Sequence, residues 1–207
     1  GRSPERLAQA LSHLGGGVEA RTVDARDEAA LVSFFAHVGA FDHLVVTVGP
    51  GSPKQRYVSA LEQPTEDAQA LFANKFWAQY LCAKHGAPQV AEGGSITLFG
   101  GGAARKPVRA MAVLAAVQAA IEGLVRGLAI DLSPLRVNAV APGRIASSSF
   151  AEMPAEAREG MLRQWAESLP VKRIGQPDDA AAAALYLMGS RYSTGHVLYV
   201  DGGHYLT

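Results

Sequence analysis

The chain has 207 residues, 48% hydrophobic and 18% charged, which is ample apolar material for one globular core and too much for a disordered chain. Its 19 basic and 19 acidic side chains cancel to a formal net charge of zero, which excludes the electrostatic footprint of a nucleic-acid or anionic-membrane binder. The single cysteine, Cys82, excludes an internal disulfide and sets a cytoplasmic location as the expectation.

In chain order, Ser3-Pro4-Glu5 reads as a helix entry: a capping hydroxyl, proline at the first helical position and an acid in the first turn. Leu7, Ala10, Leu11 and Leu14 then share one helical face, and Gly15-Gly16-Gly17 ends it. Residues 18–23 alternate as a short strand, and Asp27 caps a helix carrying Leu31, Phe34, Phe35 and Val38. The apolar run Leu44–Val48, bounded by His43 and Gly49-Pro50-Gly51, is the pattern of a parallel strand covered on both faces. A helix is expected over about 66–85, and it carries Cys82 as a buried, inert thiol. Ser95–Phe99, Arg136–Val140 and His196–Val200 read as further strands, alternating with helices near 110–132, 154–168 and 178–189. The expectation is a single α/β domain over 1–207, a three-layer Rossmann-type sheet, parallel and doubly wound. No uninterrupted apolar run has the length of a membrane span and no signal-peptide pattern opens the sequence, so no membrane association is expected. Six histidines show no pair at metal-ligand spacing, so no metal site is expected.

Several motifs, in order, resemble the short-chain dehydrogenase/reductase family over nearly the whole chain. They are Gly1-Arg2-Ser3-Pro4, Asp24-Ala25, Val46-Thr47-Val48-Gly49, Asn74, Gly94–Gly101, Arg136-Val137-Asn138-Ala139-Val140-Ala141-Pro142-Gly143, Arg173-Ile174-Gly175-Gln176-Pro177 and Thr194–Gly203. The resemblance implies a nicotinamide-dinucleotide oxidoreductase that moves a hydride between cofactor and a carbonyl or alcohol. Arg2, with Ser3, takes the place where an arginine faces the 2′-phosphate of NADP, so NADP(H) is the implied cofactor; the planar guanidinium suits phosphate oxygens. Asp24 and Ala25 would meet the adenine, and Thr47 and Gly49 would border the cofactor. Pro142, Gly143, Ile145 and Ser147 would wrap the nicotinamide amide, largely through backbone groups. Asn74 matches the asparagine of the family's proton relay.

Three positions of that relay hold other residues. Gly101 stands at the family's serine, Leu114 at its tyrosine and Gln118 at its lysine, and no tyrosine occurs between Tyr80 and Tyr186. Thr47, Asn74, Lys106, Arg109, Gln118 and Arg144 are the remaining polar candidates for handling a proton. The alternative expectation is a catalytically silent dinucleotide- or metabolite-binding protein of the same fold, or a structural subunit of a mixed oligomer. A homodimer or homotetramer through the alanine-rich helix near 110–132 is expected. Ser147-Ser148-Ser149 has no hydrolase signature and reads as a loop. Met153, Met161, Leu162 and Trp165 lie where the family has its substrate lid, and they serve core packing equally well. The family's glycine-rich phosphate turn is absent from these residues. The strands that would precede Gly1 lie, in the family's sheet, between residues 18–23 and Leu44–Val48. The expectation is therefore that about 30 further residues, carrying two strands and that turn, precede Gly1.

Overall fold

Apolar runs flanked by helix signals become the strands of one parallel sheet. The computed structural model describes residues 1–14, 16–146 and 153–207. Among them four strands pair in the order β1 (Phe41–Val46), β2 (Val90–Phe99), β3 (Arg136–Pro142) and β4 (Val197–Val200), each parallel to its neighbour. The register sets Leu44 beside Ile96, Ile96 beside Val137 and Ala139 beside Val197. Parallel strands need crossovers, and helices supply them: α1 (Pro4–His13), α2 (Glu28–Val38), the short α3 (Pro53–Arg56), α4 (Thr65–Phe72), α5 (Ala78–Gly86), α6 (Ala112–Asp131), α7 (Ala155–Ser168) and α8 (Pro177–Gly189). A π-helical turn, Ala73–Trp77, joins α4 to α5, so the expected helix over 66–85 is continuous but locally underwound.

Strand alternation decides the layers. Val46, Ile96, Leu98, Val137 and Ala139 pack against Leu31 and Phe35 of α2, Cys82 and Ala83 of α5, and Ile121, Val125 and Leu128 of α6. On the opposite face Val140, with Phe99, Leu198 and Val200, packs against Ala183, Ala184 and Leu187 of α8. Helices thus cover both faces, the doubly wound arrangement expected. Two of the polar residues buried in the strands bond to neighbouring backbone. Arg136 donates to the C-terminal carbonyls of α8, Leu187 at 2.9 Å and Met188 at 2.9 Å. The Asn138 amide donates to the Ser193 carbonyl at 2.8 Å and accepts from the His196 N–H at 3.1 Å, which fixes the turn into β4. That bond also explains why β4 begins at Val197 and not at the expected His196. The cap signals are realised: Ser3 Oγ accepts from the Arg6 N–H at 3.2 Å and Asp27 Oδ1 from the Ala30 N–H at 3.0 Å.

Two expectations need correction. Residues 18–23 form no strand, because a strand exists only through its ladder, and Val23 donates its N–H to the Gly1 carbonyl at 2.8 Å with no ladder continuing from it. β1 pairs on one side only, with β2, and starts at Phe41 and ends at Val46 where Leu44–Val48 was expected. Between α1, residues 18–23 and α2 lies an open cleft of about 720 Å³, lined by Leu7, Leu11, Leu14, Val18, Phe34 and Val38 among others. Second, α6 is a 20-residue helix apolar enough, by length and composition, to cross a bilayer. Here Leu114, Val117, Ile121, Val125 and Leu128 are buried and seat one face of it on the sheet.

Candidate active site at the carboxyl edge of the sheet

Because all four strands run the same way, the segments that leave them meet at one edge, where open α/β sheets bind their ligands. The Gly100 N–H bonds to the Val140 carbonyl at 2.8 Å and the Gly143 N–H to the Val200 carbonyl at 2.9 Å, stitching the exits of β2, β3 and β4 together. The approach is close enough to need glycine: a Cβ on Gly143 would lie 2.6 Å from Asp201 Cα. Asp201 itself is consumed in this architecture, accepting from the N–H groups of Gly203 at 2.9 Å and Tyr205 at 3.2 Å.

Gly101 and Gln118 are brought into contact here. A Cβ on Gly101 would fall 2.8 Å from Gln118 Nε2, so the space a serine side chain would take is filled by the Gln118 amide. Leu114, one turn earlier on the same buried face of α6, is 6% exposed and Gln118 7%. Gln118 Oε1 is buried without a hydrogen-bond partner, a polar atom left to be satisfied by something that enters the site.

Asn74 has other partners. On the π turn, its Oδ1 accepts from Arg26 at 3.3 Å and its Nδ2 crowds the position of a Cβ on Gly51. Its side chain therefore joins a charged cluster in which Arg26 grips the Asp24 carboxylate at 2.6–3.2 Å. Those bonds to Arg26, with the charge of Arg2 adding to them, hold the Asp24 carboxyl at about 2. Arg26 is a member of the cluster that the sequence reading missed. Ser3 is occupied as the cap of α1, and Ala25 packs partly buried on the core. Thr47 and Gly49 are exposed just beyond β1. Pro142 ends β3, and Ile145 bridges to Gly175. Ser147, with the rest of 147–152, lies outside the described residues.

The other polar candidates divide. Lys106 donates to the His204 carbonyl at 3.0 Å, and the Arg144 guanidinium lies 4.9 Å from the Trp165 ring centre and 3.2 Å from Ser168 Oγ. Burial, with the charges of Arg144 and Lys106, pulls the His204 imidazole below its ordinary value. These residues face the exits of β3 and β4, whereas Arg109 is exposed. Cys82 is buried and its thiol is pushed up to about 11 by burial, as suits an inert core residue.

A further residue escaped the sequence reading. Lys75, next to Asn74, is only 4% exposed, and burial, with the nearby Arg56 charge, pulls its ammonium down to about 7. The available signal was a lysine on an apolar stripe: Leu71, Lys75, Ala78, Gln79 and Cys82 are all buried.

A family model described as enoyl-(acyl carrier protein) reductase matches residues 2–205. A cyclic-di-GMP-binding biofilm dispersal mediator protein of Escherichia coli (strain K12) is 34% identical over 204 residues, 96% of this chain and 80% of that protein. The short-chain dehydrogenase/reductase ATR9 of Stachybotrys chlorohalonatus (strain IBT 40285) is 30% identical over 98% of this chain and 80% of its own length. The crystal structure of a small-chain dehydrogenase in complex with NADPH superposes with a TM-score of 0.86 at 36% identity, covering 98% of this chain and 93% of that one. With the parallel sheet, its converging glycines and this match over almost every residue, the chain belongs to the short-chain dehydrogenase/reductase family.

Proposed function

We propose that this protein is an NADP(H)-dependent oxidoreductase that reduces a carbonyl compound or oxidises the matching alcohol, with a proton relay built differently from the family's usual one. The observation that carries the reading is the carboxyl edge itself. Gly101, Gly102, Pro142 and Gly143 are half-buried at that edge, and Gln118 Oε1 is buried there without a partner. A ribose hydroxyl donating to that oxygen would complete it. At the other end of the edge, Arg2 beside Asp24 supplies a cation and a fixed carboxylate for the 2′-phosphate and adenine of NADP. The NADPH held by the similar small-chain dehydrogenase supports the same cofactor. When bound, the nicotinamide supplies the hydride; the protein's part is to hold it, exclude water and handle one proton. The exposed stripe Ala116, Ala119, Gly123 and Gly127 on α6 supports self-association through that helix.

Leu114, which can neither give nor take a proton, favours a second reading, a silent NADP(H)-binding protein. The two separate in one experiment: titrate NADPH by its fluorescence, then follow its oxidation at 340 nm with a panel of ketones, aldehydes and diketones. Binding with oxidation supports the oxidoreductase. Binding without oxidation supports the silent protein, and no binding removes both.

A further inference from the structure

The Gln79 side chain fixes where Lys75 stands. Its amide clasps the main chain of Phe99 at the end of β2, donating to the carbonyl at 2.8 Å and accepting from the N–H at 2.9 Å. The helix that carries it connects two parallel strands, so it runs opposite to β2, and moving back along the helix means moving out past the strand's carboxyl end. Lys75 lies four residues before Gln79 on the same buried stripe. One turn of helix is about 5.4 Å and two strand residues about 6.6 Å. Lys75 is therefore level with Gly101, two residues past Phe99, where the Gln118 amide fills the serine space. The π turn that bears Lys75 also packs on α6, the helix of Leu114 and Gln118. Lys75 is thus buried at the height of Gly101, on a turn that packs against the helix bearing Leu114 and Gln118.

We propose that Lys75 is the proton-donating residue of this enzyme, taking the part that Leu114 cannot play. The inference rests on the oxidoreductase reading above. In the reducing direction, the Nζ–H bond of the ammonium breaks and the proton goes to the carbonyl oxygen. A bound dihydronicotinamide would supply the hydride to the carbonyl carbon, so that C=O would become CH–OH and the dinucleotide would be left oxidised. The electron pair of the broken N–H bond stays on Nζ as a neutral amine, which water reprotonates. In the oxidising direction the neutral amine takes the alcohol proton. Burial gives Lys75 both forms near neutral pH, as a proton carrier requires. The Arg56 charge acts on it, while Leu114 and Gln118 on α6 and Gly101 at the strand exit carry no titratable group.

The test uses the wild-type protein, Lys75→Met and Lys75→Arg, with NADPH and the aromatic diketone 9,10-phenanthrenequinone. Wild-type kcat should fall as pH rises through about 7. Lys75→Met should lose about 100-fold or more in kcat with its NADPH Kd unchanged. Lys75→Arg, which keeps the charge but not a labile proton, should stay low with no falling limb near neutrality. Independently of turnover, ε-13C-lysine labelling of the cofactor-free protein should give one resonance, absent from Lys75→Met, that titrates near pH 7. A Lys75→Met kcat within threefold of wild type overturns the proposal, as does a parallel loss of NADPH affinity or the absence of a Lys75 resonance that titrates near neutral pH. Wild-type protein that binds NADPH and reduces no carbonyl overturns the oxidoreductase reading, and this proposal with it.

Discussion

Replacing Lys75 by methionine should make the protein more stable, by an amount that depends on pH. Methionine keeps the unbranched length and fills the same gap without a charge. The lysine is buried, and its ammonium falls from an ordinary 10.5 to about 7 in the folded chain. At about 1.4 kcal/mol per pH unit, burying the charged form costs roughly 4–5 kcal/mol. Below about 7 both folded and unfolded chains carry the proton, and the whole cost is present. Between about 7 and 10.5 the folded chain has released the proton and the unfolded chain still holds it, so wild-type stability climbs with pH. The advantage of Lys75→Met should thus be greatest at pH 6–7 and shrink by about 1.4 kcal/mol per unit towards pH 10. Cys82, raised to about 11, and Tyr199, raised by burial and its bond to Glu122, act oppositely at alkaline pH but equally in both proteins, so they cancel in the difference. Urea unfolding followed by far-UV circular dichroism at pH 6, 7, 8 and 9 measures it. Against a total margin of about 5–15 kcal/mol the effect is large, and a difference that stays flat across that range would refute the burial argument.

Other expectations follow from particular contacts. Asn138→Leu leaves the Ser193 carbonyl and the His196 N–H without their partner, so thermal melts should show a loss of about 2–4 kcal/mol. Gly94→Ala would put a Cβ 2.1 Å from the Asp42 carbonyl oxygen, which is backbone and cannot swing away; soluble, wild-type-like protein on expression would contradict this. Gly101→Ser alone should destabilise because its Cβ meets Gln118 Nε2 at 2.8 Å, and a double-mutant cycle with Gln118→Ala should recover most of that loss. Gly123→Arg, on the exposed small-residue face of α6, should lower the mass seen by light scattering. An unchanged mass, or a wild-type protein that is already monomeric, would rule out association through that face.

Local pattern alone determined the fold class. The apolar runs around Leu44, Ile96, Val137 and Val197 and the caps at Ser3 and Asp27 are properties of neighbouring residues, and each became the expected strand or helix to within a few positions. What local pattern could not supply was company. Residues 18–23 alternate like a strand yet form none, since a strand is defined by a ladder and theirs stops at the two bonds that Arg21 and Val23 make to Gly1. Asn74 read as part of a proton relay, but its side chain turns to Arg26, a residue 48 positions away that no sequence window contains. No local motif singled out Lys75. Its burial on the π turn, which packs against α6, is a property of the tertiary structure alone. Burial and opposition across the chain are decided by how layers stack, and it is those two quantities that give a side chain its chemistry.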